Sequence, residues 1–113
     1  MAKISAVSSL APAKFPDLPV IEGVWFSSIA AGVRYKGRTD VMMAKLAPGT
    51  AIAGTFTRST TRSAPVLDCQ AKLGGPQTEG AVILVNSGNA NAFTGQKGKE
   101  AVAAITSAVR SEE

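Results

Sequence analysis

Residues 86–95 read Asn-Ser-Gly-Asn-Ala-Asn-Ala-Phe-Thr-Gly. They combine three amides, two hydroxyls and two glycines, with no acid or base among them. Thr94 brings a hydroxyl and Gly95 an unhindered N–H, side by side. At the start of a helix, where backbone N–H groups lack partners, two such donors can converge on one oxygen. That arrangement holds a developing oxyanion in acyl transfer, with each donor contributing roughly 3–4 kcal/mol. The amides of Asn86, Asn89 and Asn91 can hold a tight loop through side-chain to backbone bonds. Glycines let a substrate approach the backbone closely. A plainer reading stands beside this one: Thr94 caps the helix and the asparagines are ordinary loop residues. A nucleotide phosphate loop fits badly. It needs a glycine five residues before Gly98-Lys99 and a hydroxyl after the pair, and Phe93 and Glu100 stand there instead.

The remaining chemistry-bearing residues are few. The 113 residues include no histidine, which removes a Ser-His-Asp or Cys-His mechanism carried within this chain and the commonest metal ligand. Cys69 is the one cysteine, so intrachain disulfides and cysteine-cluster metal sites are excluded. Asp68 precedes it and disfavours a thiolate, so Cys69 reads as a buried or incidental thiol. No metal site is expected. Twelve Lys and Arg against eight Asp and Glu give a net charge of +4. Only Arg34, Lys36 and Arg38 cluster. They suit a carboxylate substrate, or a solvated loop or structural ion pair. Tyr35 is the only aromatic among them, which gives no stacking platform for single-stranded nucleic acid. Thr57, Thr60 and Thr61 have no base nearby in sequence. Trp25, Met42 and Met43 read as packing residues, Trp25 alternatively as part of a chain interface.

The elements that must position residues 86–95 are a strand before them and a helix after. Ala81–Val85 (AVILV) is a continuous apolar run of the kind buried on both faces. From about Gln96, residues Ala101, Val102, Ile105, Ala108 and Val109 recur on one helical face. Upstream, Val20–Val33 predicts one strand, or two with a bend at Gly23. Val41–Leu46 predicts another, and Ala47-Pro48-Gly49-Thr50 a turn. Ala51–Thr57 then returns as a strand, forming a hairpin with 41–46. A polar run at 58–63, a short apolar piece at Ala64–Leu67, and a loop marked by Gly74-Gly75-Pro76 and Gly80 complete the reading. Residues 1–19, with Pro12, Pro16 and Pro19, form an irregular arm. The amino terminus lacks a signal-like apolar run and no segment is long enough to span a bilayer, so a cytoplasmic protein without membrane or nucleic-acid partners is expected. Glu112 and Glu113 oppose the dipole at the helix C-terminus, which suggests a cut end and an incomplete domain over 20–113.

Four blocks in order carry a further resemblance: Gly32-Val33-Arg34-Tyr35-Lys36-Gly37-Arg38-Thr39-Asp40, Ala53-Gly54-Thr55-Phe56-Thr57-Arg58-Ser59, Ala64-Pro65-Val66, and Val85 through Gly95. They resemble the amino-terminal part of the ornithine acetyltransferase (glutamate N-acetyltransferase, ArgJ) family, from about Pro19 onward. The resemblance implies an α/β fold, a layered sandwich of sheets and helices present here as its amino-terminal portion. It implies a precursor that cleaves itself before a threonine, yielding α and β chains in an α2β2 heterotetramer. That threonine, beyond this chain, takes acetyl from N2-acetylornithine and passes it to glutamate; acetyl-CoA is a second donor in some members. Thr94 and Gly95 match the family's oxyanion-hole pair, while the nucleophile, the substrate-binding lysine and the β-chain groups have no counterpart here. The rival expectation is a stand-alone, non-catalytic interaction module docking through strand edges and its helix face.

Overall fold

A computed structural model describes residues 6–74 and 78–111. Its elements are β1 (Val24–Ile29), β2 (Val41–Leu46), α1 (Ala64–Leu73), β3 (Ala81–Asn86) and α2 (Gly95–Ser111). The three strands form one antiparallel sheet in the order β1-β2-β3. The two helices pack on each other, whereas the sheet's main contacts are among its own strands. The fold is therefore mixed α/β, as expected.

β1 is shorter than the 20–33 stretch suggests. Residues 20–22 lie outside it, and Gly23 takes φ +85° at its start. β2 forms as read, and its exit turn does too. Thr50 N donates to Ala47 O at 3.2 Å, with Pro48 second and Gly49 third at φ +84°. Those are the requirements of a type II turn. The expected return strand at 51–57 is absent: these residues have no regular structure. β2 has two edges, one taken by β1, and β3 occupies the other. Ala81–Val85 is uniformly apolar and largely β-branched, and it outcompetes a segment diluted by Ala51, Ala53 and Gly54. The displaced segment lies against α1 instead; a Cβ on Gly54 would meet the Leu73 side chain at 3.3 Å and the Phe56 ring at 3.6 Å.

α1 corrects the reading of Ala64–Leu67 as a short apolar piece. It runs ten residues from an N-cap at Ser63, with Pro65 in its first turn and a Lys72–Asp68 ion pair at 2.8 Å on its surface. The loop expected at Gly74-Gly75-Pro76 falls partly on residues 75–77, outside those described. Glu112, Glu113 and the first five residues lie outside them as well.

Register assigns side chains to sheet faces. Phe26, Ala44 and Ile83 form one row, with Ser28, Met42 and Val85 beside it. The opposite face carries Ser27, Met43 and Leu84, flanked by Trp25, Lys45 and Val82 on one side and Ile29, Val41 and Asn86 on the other. Both faces are thus apolar, the pattern of a sheet meant for covering on two sides. Among the described residues little covers them: the buried apolar residues are Ala44 and Leu46, while Trp25 is 58% and Phe26 68% exposed. The expectation that β3 is buried on both faces is corrected accordingly, since Ile83, Leu84 and Val85 are exposed. The radius of gyration, 16.3 Å, exceeds the ~13 Å of a self-contained domain of about 100 residues.

Asp40 organises the end of the sheet nearest the 86–95 loop. Its Oδ1 accepts from Ala31 N and its Oδ2 from Val33 N, both at 2.7 Å. Its own N–H donates to Ile29 O at 3.2 Å, and its carbonyl accepts from Ser87 N at 2.8 Å. One residue thereby joins the end of β1, the start of β2 and the exit of β3. Burial alone would push its carboxyl pKa up, but the amide N–H groups of Ala31, Val33 and Gly32 together hold it below its ordinary value. A depressed carboxylate contributes stability above its unfolded pKa and loses it as pH falls through the folded value. Asp40→Asn, which cannot accept on both atoms, is expected to lower the urea midpoint of the full-length protein at neutral pH. The gap from wild type should close as pH falls below 3.8, the ordinary value. A gap that persists unchanged at pH 3 would remove the ionised carboxylate from this account.

Candidate functional site

The loop leaving β3 is held in place from below and then by its own amides. Ser87 is tied to Asp40 through the backbone. Gly88 follows at φ +94°, and a Cβ there would press on Arg34 Cβ at 2.9 Å and on the Tyr35 ring at 3.0 Å. Glycine is therefore needed twice over, for its backbone angle and for the close passage of the 34–38 loop. Asn86 Nδ2 donates to Asn89 O at 2.9 Å, and Asn89 Oδ1 accepts from Asn91 N at 3.0 Å. Asn91 sits in the left-handed region at φ 49°, a conformation asparagine tolerates better than most residues.

Asn91 is the hub. Its carbonyl accepts from Ala64 N at 3.3 Å, joining the loop to the start of α1. Its Nδ2 donates to Gly98 O at 3.0 Å, and its Oδ1 accepts from Thr94 Oγ1 at 2.6 Å. A longer contact of 3.3 Å runs from Thr94 Oγ1 to Asn91 O. Thr94 O in turn accepts from Gly98 N at 3.3 Å, opening α2. Thr94 is thus at the helix start, as its sequence position suggests, but its hydroxyl points back to Asn91 and not to a helical N–H. Gly95 stands beside it at φ +59° with open space around its Cα, and no described residue accepts its N–H. Both residues are exposed. Phe93, between loop and helix, takes φ 56° and is 87% exposed.

The face α2 turns inward carries Gly98, Val102, Thr106 and Val109. This is rotated from the expected Ala101, Val102, Ile105, Ala108 and Val109: the two valines are shared, but Ile105 is exposed. The reason is Gly98, the buried residue of the helix. A Cβ there would overlap Thr94 Oγ1 and come within 2.8 Å of Asn91 Oδ1. The absence of a side chain lets the loop lie on the helix, which turns the glycine side inward. No hydrophobic pattern can reveal that.

Two shallow grooves flank the sheet end. One, of about 470 Å³, is lined by Arg34, Tyr35, Asn86, Gly88, Asn89 and Ala90. The other, of about 160 Å³, lies between Thr39–Met42 and Val85–Ser87. Neither includes Thr94 or Gly95. Arg38 lies over the Tyr35 ring, 4.6 Å from its centre, so one of the three clustered cations has an aromatic partner. Cys69 is exposed on α1, which removes the buried-thiol option. Among the described residues no group of three His, Cys, Asp or Glu comes together, and no helix is long and apolar enough to cross a membrane.

The order of the four sequence blocks and the strand–loop–helix arrangement agree with a match to a family model, ArgJ, over residues 25–112. The chain belongs to the ArgJ family. It is 70% identical over 109 residues to the arginine biosynthesis bifunctional protein ArgJ of Ruegeria pomeroyi, covering 96% of this chain and 27% of that protein. The ArgJ proteins of Nitrobacter winogradskyi and Bradyrhizobium diazoefficiens are 56% and 54% identical over 99 residues. The chain thus spans about a quarter of the length of these ArgJ relatives and corresponds to their amino-terminal part. No solved structure matches it. Within this chain, sequence reasoning singles out Thr94 and Gly95 but gives Asn91 only a general loop role and Gly98 none. The Asn91 signal was an asparagine three residues before a hydroxyl, in a run rich in turn formers.

Proposed function

We propose that this chain is the amino-terminal portion of an acetyltransferase of arginine biosynthesis. The complete enzyme moves acetyl from N2-acetylornithine to glutamate, with acetyl-CoA a further possible donor. A threonine beyond this chain, at the start of a β chain released by self-cleavage, attacks the acetyl carbonyl. The carbonyl oxygen takes on negative charge, and Thr94 Oγ1–H and Gly95 N–H stabilise it. Collapse of that intermediate expels the ornithine amine, and the glutamate amine then attacks the acyl-enzyme. The α and β chains assemble as an α2β2 heterotetramer in the cytoplasm.

The observation that supports this reading most directly is the exposed Gly95 N–H, with no acceptor among the described residues, beside the exposed Thr94 hydroxyl at the start of α2. The Gly95 N–H is a preorganised donor, which costs no rearrangement when charge develops. The Thr94 proton rests on Asn91 Oδ1. Turning it toward an oxyanion exchanges a neutral hydrogen bond for a charge-assisted one, which is stronger.

The test is acetyl transfer from N2-acetylornithine to glutamate, followed by product formation. A full-length ArgJ protein whose amino-terminal part is this segment should catalyse it. The 113-residue chain alone should give no product above a protein-free blank, because the nucleophile is missing. Transfer by the isolated chain would sink the division of labour proposed between the two regions.

A further inference from the structure

We propose that Asn91 is a positioning residue for Thr94: its amide, oriented by the Gly98 carbonyl, fixes the Thr94 hydroxyl at the helix start and sets where its proton points. The inference rests on the oxyanion role given to Thr94 above.

Three observations carry it. First, the orientation of the amide is determined by its surroundings. Nδ2 lies 3.0 Å from Gly98 O; turning the amide over would set Oδ1, a pure acceptor, against that carbonyl. Second, with Nδ2 committed, Oδ1 faces Thr94 Oγ1 at 2.6 Å. A hydroxyl has one proton, so Thr94 donates to Asn91 and presents its lone pairs outward until the proton swings about the C–O bond. The oxygen can stay where it is while the proton moves. Third, the arrangement is confined on the far side. Gly98 is buried, and any Cβ on it would strike Thr94 Oγ1 and crowd Asn91 Oδ1. The Asn91 backbone is also anchored, its carbonyl holding Ala64 N and its N–H donating to Asn89 Oδ1. Loop, helix start and α1 thus converge on one residue, its side chain holding the helix start and its backbone the loop and α1.

The test replaces Asn91 in the full-length enzyme and follows kcat and KM for acetyl transfer as the ratio of variant to wild type across pH. In Asn91→Asp the ionised carboxylate repels Gly98 O and grips the Thr94 proton. Protonated, the introduced carboxyl donates to Gly98 O and accepts from Thr94 on its other oxygen, as the amide does. The residues hydrogen-bonded to Asn91 are Ala64, Asn89, Thr94 and Gly98, none of which titrates. The kcat ratio should therefore be about 10–100-fold down at neutral pH and recover as pH falls, with KM within about threefold of wild type. Asn91→Gly tolerates the left-handed backbone but lacks the amide, and should lower kcat about tenfold with no pH dependence in the ratio. Neither change should cost anything further in a Thr94→Val background, because Asn91 acts through the hydroxyl. A flat ratio for Asn91→Asp, or losses that add in full to those of Thr94→Val, would overturn the positioning role while leaving the oxyanion reading intact. Wild-type turnover in Thr94→Val alone would instead remove the oxyanion reading, and this inference with it.

Discussion

Under the oxyanion role proposed for Thr94, Thr94→Val in a full-length ArgJ protein containing this segment is expected to lower kcat about 10²–10³-fold, equivalent to roughly 3–4 kcal/mol of transition-state stabilisation, while KM changes less than about threefold. Valine keeps the volume and the branched Cβ and removes only the donor. The ground-state carbonyl carries little charge, so binding of N2-acetylornithine should barely register the loss. Stability should fall by no more than about 1 kcal/mol, because Asn91 Oδ1 loses a partner at a position that water can reach. Thr94→Ser, which keeps the hydroxyl, should retain most of the turnover. Steady-state kinetics on the three proteins, with urea unfolding as a control, separates the catalytic loss from a folding defect. A kcat close to wild type in the valine variant, with a loss in the serine variant, would point to the methyl group and away from the donor.

Gly98→Ala is expected to be nearly as damaging, although the residue contacts no substrate. Alanine favours the helix by about 1 kcal/mol over glycine, so α2 itself should be stabilised. The new methyl occupies the space of Thr94 Oγ1, and it crowds the amide oxygen that Oγ1 donates to. Thr94 must leave its rotamer, or the loop must lift from the helix. Either movement takes the hydroxyl from the place where it is proposed to meet the oxyanion, and displacements of about 1 Å are enough to cost about 10²-fold in rate. The expected result is a kcat at least about 10²-fold below wild type with helical circular dichroism retained. Combining Gly98→Ala with Thr94→Val should give little beyond the larger single effect, since both remove the same donor. Full activity in Gly98→Ala would mean that the loop does not lie on the helix as described.

Both variants address contacts that were only half legible in the sequence. The strand–loop–helix order was readable because AVILV, the asparagine run and the α2 periodicity are strong local signals. So was the type II turn, where proline and glycine sit at the positions that demand them. The assignment of Ala51–Thr57 to the sheet failed because strand pairing is a competition for edges, and β3, thirty residues later, wins the edge of β2. α1 was overlooked although Ser63 and Pro65 mark a helix start. From Leu67 on, its apolar residues alternate with Asp68, Gln70 and Lys72, a spacing of two that masks the helical period. At the site, residue type identified Thr94 and Gly95 as donors. It could not show that the hydroxyl is already engaged, because that depends on a glycine four residues along a helix whose inward side the hydrophobic pattern misplaces. In the sequence Asp40 stands out only as the last residue of the 32–40 block. Its grip on two amides and the loop exit is a tertiary fact, with no spacing signature in the chain.

The sheet with two greasy sides has a consequence for the order of events in the cell. In a longer relative of the same layout, the corresponding stretch would reach the ribosome exit before most of the chain is made. Its strands can pair at once, since all three lie within sixty-three residues of one another. Trp25, Phe26, Ile29 and Leu84 then stay wet until later-made layers arrive. A paired but uncovered sheet of this kind is prone to self-association until other layers reach it.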